Sequence, residues 1–280
     1  MIAHCVLPME ATQYRSLIGS VNWIVTLGRF DIAFALQSLA RFCMAPRLGR
    51  FERMKKLFGY LKNRPNGKIL CDTSYPDHSK YPTPEEQNWD DFYPDAKEEL
   101  PPDMPKPLGK PVRITCYVDA DHAHCKMTRR SITGVVLFIN NMPIRWISKK
   151  QSTVETSTYG SELVAARIAV DLIVEMKYGL RMLGVPIDGP ALLLGDNNSV
   201  VLNTTFPSSQ LKKKHNAICY HRVRQACAAG ILRFSYIKSE ENIADLLTKS
   251  LGKKAFYYHT KKVLFRVPIM SKGEKVNENN

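Results

Sequence analysis

At 280 residues, with 44% hydrophobic and 24% charged positions, the chain can bury a real core as one large domain or two modest ones. Its 40 basic against 26 acidic residues leave a formal charge of +14, which points to a polyanionic partner, nucleic acid ahead of an anionic membrane surface. Seven scattered cysteines without a Cys-x-x-Cys pair, no secretory signal in Met1-Ile-Ala-His-Cys-Val-Leu-Pro8 and no apolar run of membrane-spanning length argue against disulfide-built secreted proteins and membrane proteins. The expectation is a cytoplasmic or nuclear protein, not secreted, with no membrane partner.

Residues 12–63 read as helices. Tyr14, Leu17, Ile18, Val21, Ile24 and Val25 recur at helical spacing, as do Ile32, Phe34, Ala35, Leu39 and Phe42, then Met54, Leu57, Phe58 and Leu61. Trp23 and Trp146 lie within apolar patterns and are expected in the core. Arg64-Pro-Asn-Gly67 stops the helices with turn chemistry. From 71 to 110, prolines at 76, 82, 84, 94, 101, 102, 105 and 107 exclude a long helix or a central strand. Acids including Glu85, Glu86, Asp90, Asp91, Glu98 and Glu99 run against the basic whole, so this stretch is a linker or an irregular insert that screens a basic surface. Trp89, Phe92 and Tyr93 favour an insert with a packed anchor, because disordered linkers are poor in aromatics.

Beyond 112 the pattern becomes α/β. Strands are expected over 112–118, 134–139 and 144–147, the last two joined by Asn140-Asn-Met-Pro143. A long helix follows, capped by one of Thr156, Ser157 and Thr158 and running to about 183, with Leu163, Ala166, Val170, Ile173, Met176 and Leu180 as its core stripe. A short buried strand over 191–194, a helix from 197, a basic helix over 213–229, a strand over 231–237 and a helix over 240–251 complete a mixed sheet with helices packed on it.

Four acids, Asp119, Glu162, Asp196 and Asp245, each sit where an expected strand ends or a helix begins. Any one of them has an ordinary alternative as a helix cap or a partner of the helix dipole. Together, converging on one sheet edge, they would repel one another unless a cation lay among them. Two magnesium or manganese ions held by such a cluster serve phosphodiester hydrolysis. Lys212, Lys213, Lys214, His215, Arg222 and Arg224 form the densest basic patch, extended by Arg129, Arg130, Lys149 and Lys150; these are candidate phosphate contacts. Ser131, Thr133, Gln151 and Asn197 are candidate contacts to ribose hydroxyls. His122, His124, Cys125, His215 and His221 match no structural zinc spacing.

These strings resemble the ribonuclease H domain of copia-type retrotransposon polyproteins. The resemblance runs over about 113–251, through Tyr117-Val-Asp-Ala-Asp-His122, Arg129-Arg-Ser-Ile-Thr-Gly134, Pro143-Ile-Arg-Trp-Ile-Ser-Lys-Lys-Gln151, Ser157-Thr-Tyr-Gly-Ser-Glu-Leu-Val-Ala-Ala166, Gly195-Asp-Asn197, Lys214-His215, Tyr220-His-Arg222 and Ile243-Ala-Asp-Leu-Leu-Thr-Lys249. Residues 14–62, with Tyr14-Arg-Ser-Leu-Ile-Gly-Ser20, Asp31-Ile-Ala-Phe-Ala35 and Tyr60-Leu-Lys62, look like the end of the reverse transcriptase that precedes that domain. The resemblance implies an RNase H-like α/β fold and two-ion cleavage of the RNA strand in an RNA–DNA hybrid by Asp119, Glu162, Asp196 and Asp245, with Asp245 at the more solvent-exposed position. Where many such domains carry a further Glu, this chain has Gly160. The polymerase Asp-Asp pair is absent, so no polymerase activity is expected, and the rest of such a polyprotein is an expected partner. The implied organisation is a helical remnant at 1–70, an acidic Pro-rich insert at 71–111, the RNase H-like domain at 112–252 and a tail at 253–280. The alternatives are a catalytically silent nucleic-acid-binding remnant and an integrase, whose acid order should be Asp, Asp, Glu.

Overall fold

The apolar runs between 112 and 237 pair into one five-stranded sheet in the computed structural model, which describes residues 8–81 and 87–266. Cys5, Pro82, Pro84, Glu85, Glu86 and the last fourteen positions of the expected tail lie outside the described residues. The elements in chain order are α1 (Pro8–Thr26), α2 (Ala33–Ala40), α3 (Leu48–Asn63), β1 (Gly67–Ile69), β2 (Ile114–Asp121), β3 (Ile132–Ile139) and β4 (Met142–Lys150). They continue with α4 (Thr158–Met182), β5 (Ala191–Gly195), α5 (Asn198–Thr205), α6 (Ala217–Ala228), β6 (Leu232–Tyr236), α7 (Asp245–Thr248), α8 (Lys253–Val263) and β7 (Leu264–Arg266). Strand order is β4-β3-β2-β5-β6, antiparallel from β4 to β2 and parallel from β2 to β6. This is the mixed sheet with flanking helices expected of an RNase H-like fold.

Local chemistry sets the turns. The β3–β4 hairpin closes on Asn140, whose φ of 54° suits a residue that tolerates left-handed backbone. Asn140 also accepts from the Arg113 amide and donates to the Thr73 carbonyl. The expected helix over 240–251 is instead a single 3-10 turn at Ser239–Glu241 and the four residues of α7. Between them Asn242 is extended and fully buried, and its side chain donates to the Val118 carbonyl at 2.9 Å, tying this segment to β2.

Both faces of the sheet are covered. Alternation in β2 sends Ile114, Cys116, Val118 and Ala120 to the α4 side, where Leu163, Ala166, Val170 and Ile173 meet them with Val223 of α6. On the other face Val136 and Phe138 pack with Tyr14, Val21, Phe30, Met54, Leu246 and Leu247. The N-terminal helices thus share a core with the sheet. Residues 253–266, expected as tail, form α8 and β7, and β7 pairs antiparallel with β1.

Trp23 departs from expectation. It is 64% exposed, because the buried stripe of α1 runs through Tyr14, Ile18, Val21 and Val25, and position 23 lies about 200° around the helix from Val21. Trp146 keeps its inner place, stacked on Phe30 and donating to the Val25 carbonyl.

The Pro-rich insert is a strap. Tyr81 is buried against Leu192 and Leu194, and Trp89 and Tyr93 close around Arg224. Glu98 pairs with Lys177 at 3.2 Å and Arg181 at 2.6 Å on α4. Glu98 thereby ties the strap to α4. Among the described residues no helix is long and apolar enough to cross a membrane.

Candidate metal centre

Strands β2 and β5 run parallel with Val118 opposite Gly195, so the next residues, Asp119 and Asp196, emerge side by side at the carboxyl ends. That position, outside the strand ends of an open sheet, is where α/β folds form crevices. Glu162 reaches the same edge from the second turn of α4, whose start is set by Ser157 accepting from the Gly160 amide. Asp119, Glu162 and Asp196 each present a carboxylate oxygen within 4.8 Å of the others. An open cleft of about 480 Å³ lies over them, also lined by His122, Asn198 and Lys249.

The surroundings oppose their charge. Asp119 is 2% and Glu162 7% exposed. Burial first, and the neighbouring carboxylates second, push Glu162 well above the usual range. Burial also raises Asp119, against the pull of the Lys249 ammonium. An all-oxygen donor set of three crowded carboxylates fits a hard divalent ion such as magnesium or manganese.

Asp245 stands outside this group of three. It is 7% exposed rather than solvent-facing, and Asp196 is the less buried partner. The reason is that α7 is pressed against β3: a Cβ on Gly134, the residue paired with Asp119, would lie 2.6 Å from Thr248 Cγ2 and 2.8 Å from the Ala244 carbonyl. Burial, then the Asp119 charge, raises Asp245 to about 7. Lys249 Nζ joins the two, 2.8 Å from Asp245 Oδ1 and 3.7 Å from Asp119 Oδ2. Although burial disfavours its charge, the Asp119 and Asp245 carboxylates hold Lys249 above the ordinary lysine value. Thr248 Oγ1 donates a short hydrogen bond to Asp119 Oδ2, and Ser239 Oγ donates to Asp196 Oδ2 at 2.5 Å. Sequence reasoning assigned no role to Lys249, Thr248, Ser239 or Asn242. The i,i+4 spacing of Asp245 and Lys249 was a usable signal for the first; the others carried none.

The expected nucleic-acid contacts divide. Arg129 and Arg130 lie on the β2–β3 loop and Lys149 and Lys150 at the end of β4, all at the carboxylate end of β2 through the pairing of Asp121 with Ile132 and Ile132 with Lys150. Lys212 and Lys214 are exposed, whereas Lys213 donates to Thr156 and Ser157. His215 is 3.6 Å from Glu155, and Arg222 pairs with Asp171 at 3.0 Å. Arg224 is not a surface contact. At 2% exposure it is ringed by Trp89, Tyr93 and Tyr220, and it donates to the carbonyls of Asn203, Phe206 and Pro207.

The four expected ribose contacts have internal partners. Gln151 donates to Thr133 and to the Ser161 carbonyl, Ser131 accepts from the Ala123 amide, and Asn197 caps α5. His122, His124, His215 and His221 face Ser161, Asp121, Glu155 and Tyr93 respectively, so they do not gather. Among the described residues the three carboxylates are the one cluster suited to a metal.

No protein-family model matches the chain. It is 26% identical over 263 residues, 92% of its length, to the retrovirus-related Pol polyprotein from transposon RE1 of Arabidopsis thaliana. It is 25% identical over 248 residues, 89% of its length, to the retrovirus-related Pol polyprotein from transposon TNT 1-94 of Nicotiana tabacum. The chain spans 15% and 16% of these relatives. Among solved structures, the N-terminal RNase H domain of rv2228c from Mycobacterium tuberculosis aligns over 54% of this chain and 97% of that one, with 15% identity and a TM-score of 0.38. Over about nine-tenths of its length the chain is thus similar to the Pol polyproteins of transposons, and its mixed five-stranded sheet with flanking helices has the architecture of an RNase H-like fold.

Proposed function

We propose that the chain is a divalent-metal-dependent endonuclease that hydrolyses the RNA strand of RNA–DNA hybrids, using magnesium or manganese as two ions. The observation that carries this reading is the meeting of Asp119, Glu162 and Asp196 within 4.8 Å at the ends of adjacent parallel strands. Bound there, the ions supply a water acidified for attack and a clamp on the scissile phosphate. Asp119 and Asp196 hold the ions from the strand ends, Glu162 from α4, and Asp245 stands behind Asp119. Thr248 fixes the Asp119 carboxylate, and Ser239 that of Asp196. Lys249 holds the Asp119–Asp245 pair together by its charge. Arg129, Arg130, Lys149 and Lys150, at the same edge, bind backbone phosphates, as do the exposed Lys212 and Lys214. The boundaries at 70, 111 and 252 are proposed as limits of function rather than of packing, with cleavage residing in 112–252.

The test is a cleavage assay on a labelled hybrid with Mg²⁺ or Mn²⁺, alongside Asp196→Asn. Metal-dependent cutting that the substitution lowers by about 100-fold or more supports the reading. A folded chain that binds the hybrid without cutting it refutes the activity, and unaltered cutting by Asp196→Asn refutes the site. The second reading is a silent hybrid-binding remnant. It draws on Lys249, whose ammonium already gives the cluster a countercharge, and it expects binding without metal-dependent turnover.

A further inference from the structure

The helical region carries charge that the metal centre does not use. Between residues 8 and 63 nine Lys and Arg face three acids, of which Asp31 pairs with Arg29 in the core and Glu52 with Lys55 rather than with the arginines described next. Arg47, Arg50 and Arg53 recur every third position from the start of α3, which places them along one side of it. Arg41, just past the end of α2, joins them. Arg50 is held below its ordinary pKa, first by burial and then by the charges of Arg53, Arg41 and Arg47. Its guanidinium lies 3.6 Å from the Phe42 ring centre, which fixes its direction.

This cluster is continuous with the carboxylate edge. Arg41 Nη2 lies 3.3 Å from His124 Nε2, and His124 Nδ1 lies 2.6 Å from Asp121 Oδ2, two residues beyond Asp119 on β2. Phe34 packs edge-on against the same imidazole. Phe34, Ser38 and Arg41 share a side of α2, and there Arg41 Nε and Ser38 Oγ are buried without a hydrogen-bond partner among the described residues. Crowded arginines beside unpartnered buried donors are stabilised by an anion, and the planar guanidinium suits phosphate oxygens.

Resting on the hybrid-cleaving reading above, we propose that Arg41, Arg47, Arg50 and Arg53 form a phosphodiester-binding track that holds the nucleic-acid duplex beyond the cleavage edge. Grip on the substrate is then divided between the sheet domain and the helices in front of it.

The experiment uses the full chain in EDTA, so that binding is read without cleavage, and titrates a hybrid of about 20 base pairs across a salt series. Arg47→Gln with Arg53→Gln alters two exposed side chains outside the metal centre. The expected result is affinity lowered at least about tenfold and a log K against log salt slope shallower by about 2, near one unit for each phosphate no longer neutralised. The control is Lys106→Gln with Lys110→Gln, exposed on the strap by Gly184 past the far end of α4, which should bind like the unaltered chain. Unchanged affinity and slope in the arginine pair overturn the proposal. Equal losses in both pairs also overturn it, because they report net charge alone. A chain that binds the hybrid in this way and never cuts it removes the nuclease reading, while the arginine comparison still decides the track.

Discussion

Asp119, Glu162 and Asp245 are ionisable groups placed where ionisation is costly, and this has a pH signature. Burial and mutual repulsion raise all three, Asp245 to about 7, above what they would have in the unfolded chain. A carboxyl raised on folding stabilises the fold when protonated, so its contribution is full below its unfolded value and is lost as pH rises through its folded value. His259 acts oppositely: burial lowers it to about 4, so it costs stability as pH falls below the ordinary histidine range. Between about pH 6.5 and 8 His259 stays neutral in the fold and sheds only the last of its unfolded-state protonation, so the three carboxylates outweigh it. Without metal the Tm should therefore fall across that window, and Mg²⁺ should restore it more at pH 8 than at 6.5. Asp245→Asn should flatten the metal-free slope, as thermal melts in EDTA would record; an unaltered slope would remove Asp245 from the coupled group. Lys249→Met removes the countercharge and should lower the metal-free Tm most at pH 8. Of these residues the four acids were legible as strand-end and helix-start carboxylates. The depth of Asp245 was not, since its burial depends on how closely α7 approaches β3.

At the scale of elements, contact between α7 and β3 aligns the site. Gly134 makes it possible, because a methyl group there meets Thr248, Leu247 and the Ala244 carbonyl. Gly134→Ala should destabilise the fold by about 1–3 kcal/mol through overpacking and should lower cleavage more than hybrid binding. Denaturant melts and paired binding and cleavage measurements would show it, and wild-type stability would contradict the close approach. The strap makes a second prediction. Arg224 gathers three carbonyls and an aromatic ring into one buried knot between α6, the loop after α5 and the insert. Arg224→Met leaves those acceptors unpaired and should cost about 3 kcal/mol or more, with Trp89 fluorescence shifting towards that of a solvated indole. The insert's irregularity was readable from its prolines, and its anchoring from Trp89 and Tyr93. Its partner was misread, because Arg224 looks in sequence like any basic residue on a helix.

For the whole molecule, the helices of residues 8–63 cover one face of the sheet, where Val136, Phe138, Leu246 and Leu247 meet Tyr14, Val21, Phe30 and Met54. A chain beginning at residue 64 should expose that apolar face and aggregate or melt well below the full chain, which light scattering and calorimetry would detect. A soluble, equally stable fragment would show the two parts to be independent. Periodicity and composition alone specified the α/β class, the order of strands and helices from 112 to 237, the basic character and the four acids, because each depends on neighbours along the chain. Tertiary structure alone decided that three of those acids meet within 4.8 Å while Asp245 joins them through Asp119 and Lys249, that Arg224 is internal and that Trp23 faces outward. Those outcomes turn on which surfaces meet, at Gly134, around the strap and across the sheet. They join residues such as Arg224 and Tyr93, 131 positions apart, and local pattern does not reach that far.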